Sequence, residues 1–249
     1  MKNLNKKKLN NCIIIPARLN SSRIFQKPLV KINNEYLIVK TYKNVIKHYH
    51  ADRVYIATDS KKVVDAIKSY TKNYILIKRN FINGAERCSY SIDKIKNFKN
   101  FTIVSCDMPF LNGKILKYLE NKFLSEKNID AETVHTKVNN RKQFNDPSIA
   151  KIVISKNNRI LYISRSNIPS QFNKKFKAKL YTHHGLMMFK RNVLSNYKKI
   201  KNSNLQLSED NEWLKLIEND FNIKSYYVKK INSEINTKSD LAKLIKINK

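Results

Sequence analysis

Glycine is scarce: the 249 residues hold three, Gly84, Gly113 and Gly185. A dinucleotide G-x-G-x-x-G fingerprint needs three closely spaced glycines, and a P-loop needs two followed by Lys-Ser/Thr. Neither exists here, which argues against the common dehydrogenases and the P-loop ATPases. Any nucleotide has to be held by basic side chains and backbone amides instead. Acidic residues are also few, 19 against 50 Lys+Arg, giving a formal charge of +31. The basic residues are scattered, apart from Lys6-Lys7-Lys8 and Lys174-Lys175, and no zinc-finger or RRM-type signature accompanies them. The excess therefore reads as a solvated surface that favours anionic substrates, not as a nucleic-acid footprint. Cysteine is limited to Cys12, Cys88 and Cys106, with no CxxC pair and no even framework, so the thiols read as reduced and partly buried. Long apolar runs are missing too. The basic start followed by residues 12–15 imitates a signal peptide, but that run is too short and stops at Pro16. No later segment is long and apolar enough to span a bilayer, and the expected location is the cytoplasm.

What is present suits a globular α/β chain. Hydrophobic residues make up 41%, enough for a core. Short β-branched runs at 12–15, 53–58, 74–77 and 101–105 read as strands. Helical patterns separate them: from Lys27 to about Tyr49, from Asp59 or Ser60 as cap through Ile67, from Ala85, and around 114–124. Strands alternating with helices imply βαβ units, a largely parallel sheet and a site at the strands' carboxyl ends. The second half changes character. Residues 131–138, 150–155, 159–164 and 184–190 read as consecutive strands, with Asn157-Asn158 as a hairpin turn. This suits an antiparallel extension or dimerisation lobe. A helix over 208–218, a strand over 223–228 and a helix over 239–247 close the chain. One domain is expected, in two halves (10–130 and 131–249) after a basic, flexible start (1–9).

The first strand runs into Pro16-Ala17-Arg18-Leu19-Asn20-Ser21-Ser22-Arg23, and then Phe25-Gln26-Lys27-Pro28-Leu29. Two arginines and a lysine in a hydroxyl-rich loop can grip phosphate oxygens, the arginines as bidentate forks and the lysine as a point charge. The order of residues resembles the PAR-xxSxR-xxxKPL signature of the sugar-acid cytidylyltransferases. Further segments resemble the CMP-Kdo synthetase branch (Kdo is 3-deoxy-manno-octulosonate) in the same order. They are Ile56-Ala57-Thr58-Asp59 for its V/I-A-T-D strand end, Gly84-Ala85-Glu86-Arg87 for SGTER, and Asp107-Met108-Pro109 for the end of QGDEP. Phe144-Asn145-Asp146-Pro147 with Lys151-Ile152-Val153, Tyr162-Ile163-Ser164-Arg165-Ser166-Asn167-Ile168-Pro169, and His183-His184-Gly185 continue the match. All five prolines fall inside these segments.

The resemblance implies a nucleotide-diphospho-sugar-transferase-like fold: a Rossmann-like, mixed but mostly parallel sheet flanked by helices, with a small antiparallel lobe that forms a homodimer. It implies Mg²⁺-dependent attack of a sugar-acid hydroxyl on the α-phosphorus of CTP, with a product that feeds lipopolysaccharide assembly. Arg18 and Lys27 would hold the triphosphate, supported by Ala17, Ser21, Ser22 and Arg23. Thr58, Glu86, Arg87 and Ser105 would lie near the nucleotide. Asp107 would be a hard oxygen ligand for Mg²⁺. Arg165 and His183 are the candidates for the sugar carboxylate, and Glu212 for sugar hydroxyls. Another nonulosonate as substrate, or a catalytically weak basic binding protein on the same scaffold, remain alternatives.

Four positions depart from the pattern. Pro-Gly before the loop lysine has become Phe25-Gln26, which suggests a different backbone path. Gln-Gly before the strand-end aspartate has become Ser105-Cys106, and LEQLR has become Asn211-Glu212-Trp213-Leu214-Lys215. The second metal-binding aspartate of VDTPEDL is Asn236, whose amide oxygen brings no charge and is expected to bind Mg²⁺ more weakly. Thr237 and Asp240 suit a capping box.

Overall fold

The computed structural model describes residues 10–20, 24–173, 175–231, 234–235 and 240–242. Its first strand, β1 (Asn11–Ala17), explains the unbroken apolar run. Ile13 and Ile15 face one core cluster, Cys12 and Ile14 the other, and all four are 0% exposed. A central parallel strand is covered on both faces, so it reads as continuously apolar rather than alternating.

A polar loop and a 3₁₀ turn (Lys27–Leu29) follow, then a small hairpin of β2 (Lys31–Ile32) and β3 (Glu35–Tyr36). Only then does α1 (Leu37–Ile46) begin. The helix expected directly after Lys27 is displaced because Asn33 and Asn34 both take positive φ (51° and 61°) and turn the chain back. The chain continues as β4 (Val54–Thr58), α2 (Lys61–Ile67), β5 (Tyr74–Leu76), α3 (Gly84–Ser91), β6 (Asn100–Val104) and α4 (Gly113–Ser125). Then come β7 (Ala131–Lys137), α5 (Arg141–Asn145), β8 (Lys151–Ile154), β9 (Ile160–Ser164) and β10 (Tyr181–Lys190). The remaining elements are α6 (Arg191–Tyr197), α7 (Asn204–Glu209), α8 (Glu212–Ile217) and β11 (Ile223–Tyr227).

The main sheet runs β11-β7-β10-β6-β1-β4-β5. The pairs β1–β4, β1–β6, β4–β5 and β7–β11 are parallel, whereas β10 is antiparallel to both β6 and β7. The second half is thus less separate than expected. Strands β7, β10 and β11 complete the main sheet, and only the β8–β9 hairpin forms an antiparallel annexe, attached through Tyr181 and Thr182. Its turn is at Asn157-Asn158 as expected, with Asn158 at φ 63°. The helix expected over 208–218 is two helices, because Asp210 adopts a left-handed conformation (φ 45°) that ends α7. Of the last expected helix, residues 240–242 are helical, and the rest lies outside the described residues, as does Thr237.

Helices α1 and α4 pack on one face of the sheet around Tyr42, Val45, Leu116 and Leu119, while α3, α6 and α8 pack on the other around Cys88, Val193, Trp213 and Leu216. Each such buried side chain contributes roughly 1.5–3 kcal/mol. All three cysteines are free and buried. Burial pushes each thiol well up, Cys106 to about 12, so none is a ready nucleophile. Among the buried polar side chains, Glu132 in β7 is 0% exposed, and neither carboxyl oxygen has a hydrogen-bond partner among the described residues.

Candidate active site

The carboxyl ends of β1, β4 and β6 lie side by side, and the first-half candidates gather there. Ala17 closes β1 as a buried residue and Arg18 follows it into solvent. Ser21, Ser22 and Arg23 lie outside the described residues. Gln26 takes the left-handed conformation (φ 46°, ψ 43°) that a glycine adopts with less strain, and leads into the turn carrying Lys27. Lys27 is 9% exposed and donates from Nζ to Oδ2 of Asp107 at 2.5 Å. Asp107, 8% exposed, keeps its other oxygen, Oδ1, buried with no hydrogen-bond partner among the described residues.

Backbone contacts fix this carboxylate. Thr41 Oγ1 of α1 donates to the Cys106 carbonyl at 2.8 Å, and Ile235 N donates to the Asp107 carbonyl at 3.1 Å. Asn236, the residue after Ile235, lies outside the described residues. A buried carboxylate with one oxygen on an ammonium and the other unpartnered is a fit position for a hard divalent cation.

Asp59 has a larger part than the capping role read from sequence. Ser60 takes the N-cap position of α2 without a side-chain cap bond. Asp59 Oδ1 accepts from Leu19 N at 3.1 Å, and Oδ2 accepts from Arg87 at 2.9 Å, so one carboxylate ties the first loop to α3. Arg87 is buried, lies 4.9 Å over the Phe81 ring, and keeps Nη1 without a partner among the described residues. Thr58 is buried and accepts from Ser60 N at 3.2 Å. The Glu86 carboxylate is engaged at the start of α3: it accepts from Ile82 N at 2.8 Å while Glu86 N donates to the Asn83 cap at 2.8 Å. Outside Asp59 lies an open cleft of ≈ 510 Å³, lined among others by Asn20, Lys61, Lys62, Lys78 and Arg79, a cationic rim suited to an anionic ligand.

The second-half candidates reach the same edge because β10 runs the other way. Leu186 pairs with Val104, so His183, His184 and Gly185 lie beside Ser105–Asp107. A Cβ on Gly185 would sit 3.4 Å from Ser105 Cβ, in ordinary van der Waals contact, which places Gly185 directly beside Ser105. Glu234 Oε1 accepts from Gly185 N at 3.0 Å and lies 3.4 Å from His184 Nδ1. His183 Nε2 accepts from the indole N–H of Trp213 at 2.8 Å, and burial, with a contribution from His184, depresses its pKa to about 3. The neighbouring Glu212 carboxyl is pushed up by burial, with Asp210 adding to the rise and its own backbone and Arg165 opposing it.

Arg165 is the candidate whose groups are most fully engaged. Its guanidinium donates to the carbonyls of Pro147, Ser148, Glu209 and Asp210 and to Asp210 Oδ2 at 3.1 Å. Glu209 also accepts from Arg165 N at 2.8 Å and Ser164 Oγ at 2.6 Å, and the buried Lys151 donates to the Arg165 carbonyl at 2.7 Å. The structure therefore brings Lys27, Asp107, Ser105 and His183 to one edge, sets Glu212 at the start of α8 beside Trp213, and uses Arg165 to staple the annexe to α7. Sequence reasoning missed Asp59 as a clamp and did not foresee Glu209, Glu234 or the Trp213–His183 contact. Only Asp59 had a signal, as the last residue of the I-A-T-D segment.

The family model described as cytidylyltransferase matches residues 12–231. The chain belongs to the cytidylyltransferase family. Among its relatives is a 3-deoxy-manno-octulosonate cytidylyltransferase from Chlorobium limicola (strain DSM 245 / NBRC 103803 / 6330), 31% identical over 94% of this chain and 95% of that one. Another of the same name, from Rickettsia prowazekii (strain Madrid E), is 32% identical over 94% of this chain and 93% of that one. The solved structure of a CMP:2-keto-3-deoxy-manno-octonic acid synthetase complexed with CTP superposes with a TM-score of 0.87, covering 96% of this chain and 98% of that one at 25% identity.

Proposed function

We propose that this cytidylyltransferase joins CMP from CTP to Kdo, releasing pyrophosphate, and that it does so in the cytoplasm for lipopolysaccharide assembly. The observation that carries the reading is Asp107: a buried carboxylate at the β6 edge, half engaged by Lys27 and half unpartnered. In the reaction a Kdo hydroxyl oxygen bonds to the α-phosphorus. The bond from that phosphorus to the bridging oxygen breaks, pyrophosphate carries away the electron pair, and the hydroxyl proton passes to solvent. Lys27 and Arg18 supply cationic contacts for the triphosphate. Asp107 Oδ1, with Asn236 as a second oxygen donor, would hold Mg²⁺, which when bound neutralises phosphate charge and orients the leaving group. Asp59 fixes the loop that carries Arg18 through its bond to Leu19 N, and His183 and Glu212 face the sugar.

The test is pyrophosphate release by purified protein with CTP, Mg²⁺ and Kdo, with N-acetylneuraminate and the other nucleotides in parallel. Release that needs both CTP and Kdo is the expected result. Release with a different sugar acid moves the substrate, and silence with every sugar in folded protein rejects the activity.

We also infer a homodimer formed through the segment after β9. Phe172 (94% exposed) and Phe176 (76% exposed) stand in water there, as a surface meant to be covered. Sedimentation should give twice the 29.3 kDa chain mass, and a concentration-independent monomer would remove the idea.

A further inference from the structure

Trp213 stands where the LEQLR pattern has glutamine, and its surroundings are built around it. The side chain is 0% exposed in α8. Its ring stacks on Phe189 of β10, centroids 5.1 Å apart and planes 20° from parallel, and meets His183 edge-on at 6.3 Å and 85°. Packing on this scale leaves the indole no freedom to turn. Its Nε1–H is a donor with no acceptor capacity, and it points at His183 Nε2 from 2.8 Å. That nitrogen must carry a lone pair, so a neutral ring keeps its proton on Nδ1. The other neighbour of Nε2 is Thr133 Oγ1 at 3.2 Å, but the single hydroxyl proton has a better acceptor in the Leu186 carbonyl at 2.7 Å. Protonating Nε2 would set two N–H donors head to head, which the fixed indole cannot relieve.

We propose that Trp213 is a positioning residue that holds His183 as the Nδ1–H tautomer, a neutral hydrogen-bond donor for an oxygen of the acidic sugar. The sugar part of this inference rests on the reading of the site as CMP transfer to a sugar acid; the tautomer itself does not. The titratable and charged groups around the ring are His184 on the same strand, His135 on β7, Glu234 and Arg165, and burial outweighs them in keeping it uncharged. The imidazole thus recognises the sugar by direction rather than by charge. Sugar affinity then carries no titration of His183 between about pH 5 and pH 8, the range where an exposed imidazole changes charge.

The test uses full-length protein with ¹⁵N-labelled histidine, His183 being assigned by difference against His183→Gln. A long-range ¹H–¹⁵N correlation spectrum of the wild type should show an unprotonated Nε2 and a protonated Nδ1 for His183, unchanged from about pH 8 to pH 5. Trp213→Phe keeps a ring on Phe189 and removes the donor, so His183 should become a tautomer mixture. Trp213→Gln, whose amide can either donate or accept, should also leave a mixture, and Thr133→Val should leave the wild-type tautomer intact. In kinetics, Trp213→Phe should raise KM for the sugar about tenfold, with KM for CTP within about twofold of wild type. A wild-type spectrum with Nε2 protonated overturns the proposal whether or not any variant folds. So does an unchanged tautomer in Trp213→Phe, or its loss in Thr133→Val. If the tautomer behaves as expected while no sugar acid reacts, the proposed substrate fails and the Trp213–His183 device stands.

Discussion

Asp107→Asn is expected to lower CTP-dependent pyrophosphate release about 10³-fold, the scale of losing an electrostatic group aimed at the reacting phosphate. The substitution keeps the shape of the side chain and an oxygen for Lys27, but removes the charge that would make Oδ1 a strong cation ligand. Stability has to be separated from this. Lys27 and Asp107 are a buried ion pair, with side chains 11% and 12% exposed. Removing one partner of such a pair costs about 3–5 kcal/mol, whereas replacing both by apolar groups of similar size is often neutral. Asp107→Leu should therefore melt markedly earlier than wild type, and Lys27→Met/Asp107→Leu should recover most of that loss while staying inactive. Thermal melts read beside the pyrophosphate assay distinguish the two effects. Asp107→Asn retaining more than about a tenth of wild-type activity would remove Asp107 from the reaction.

Glu132→Gln is expected to stabilise the protein at pH 8 by an amount on the order of a few kcal/mol. Burial, reinforced by Glu126 and opposed by Lys122, raises the Glu132 carboxyl from its ordinary 4.5 to about 9. The sign follows from proton binding. Above pH 4.5 the unfolded chain releases this proton, while the folded chain keeps it until about pH 9. Folded-state stability is thus full below pH 4.5 and falls as pH rises towards 9, because the unfolded state alone gains from ionising. Glutamine matches the shape and polarity of the neutral acid and cannot ionise. Its advantage should be clear in urea titrations at pH 8 and vanish near pH 4.5. An equal gain at both pH values would place the effect in packing.

The sequence revealed the elements whose burial is two-sided. Residues 12–15 and 101–105 read as strands because central parallel strands are apolar on both faces, and the structure shows β1 and β6 there. It revealed Lys27 and Asp107 as partners only in the sense that the motif order named both; their 2.5 Å contact spans 80 residues and leaves no local trace. Strand β10 was read as starting at residue 184, three residues late, because Tyr181, Thr182 and His183 are not a hydrophobic run. Their strand character comes from pairing with β7 and β8. The β2–β3 hairpin carries a local signal, since Asn33-Asn34 is the same turn pair as Asn157-Asn158. The break at Asp210 and the Arg165 staple were not legible, since both depend on where α7 meets β9.

The reversed strand has a mechanical consequence. Strand β10 carries His183, the residue proposed to face the sugar, and then pairs with β6, register Leu186–Val104 through Lys190–Asn100. On the proposed reading, the groups for two different reactants are spaced by a ladder of main-chain hydrogen bonds and not by a hinge. Drawing them apart means unzipping that ladder in the middle of the sheet, a far costlier motion than swinging two lobes. Such an enzyme meets its reactants as a jig meets its parts, with the gap between them already cut to length.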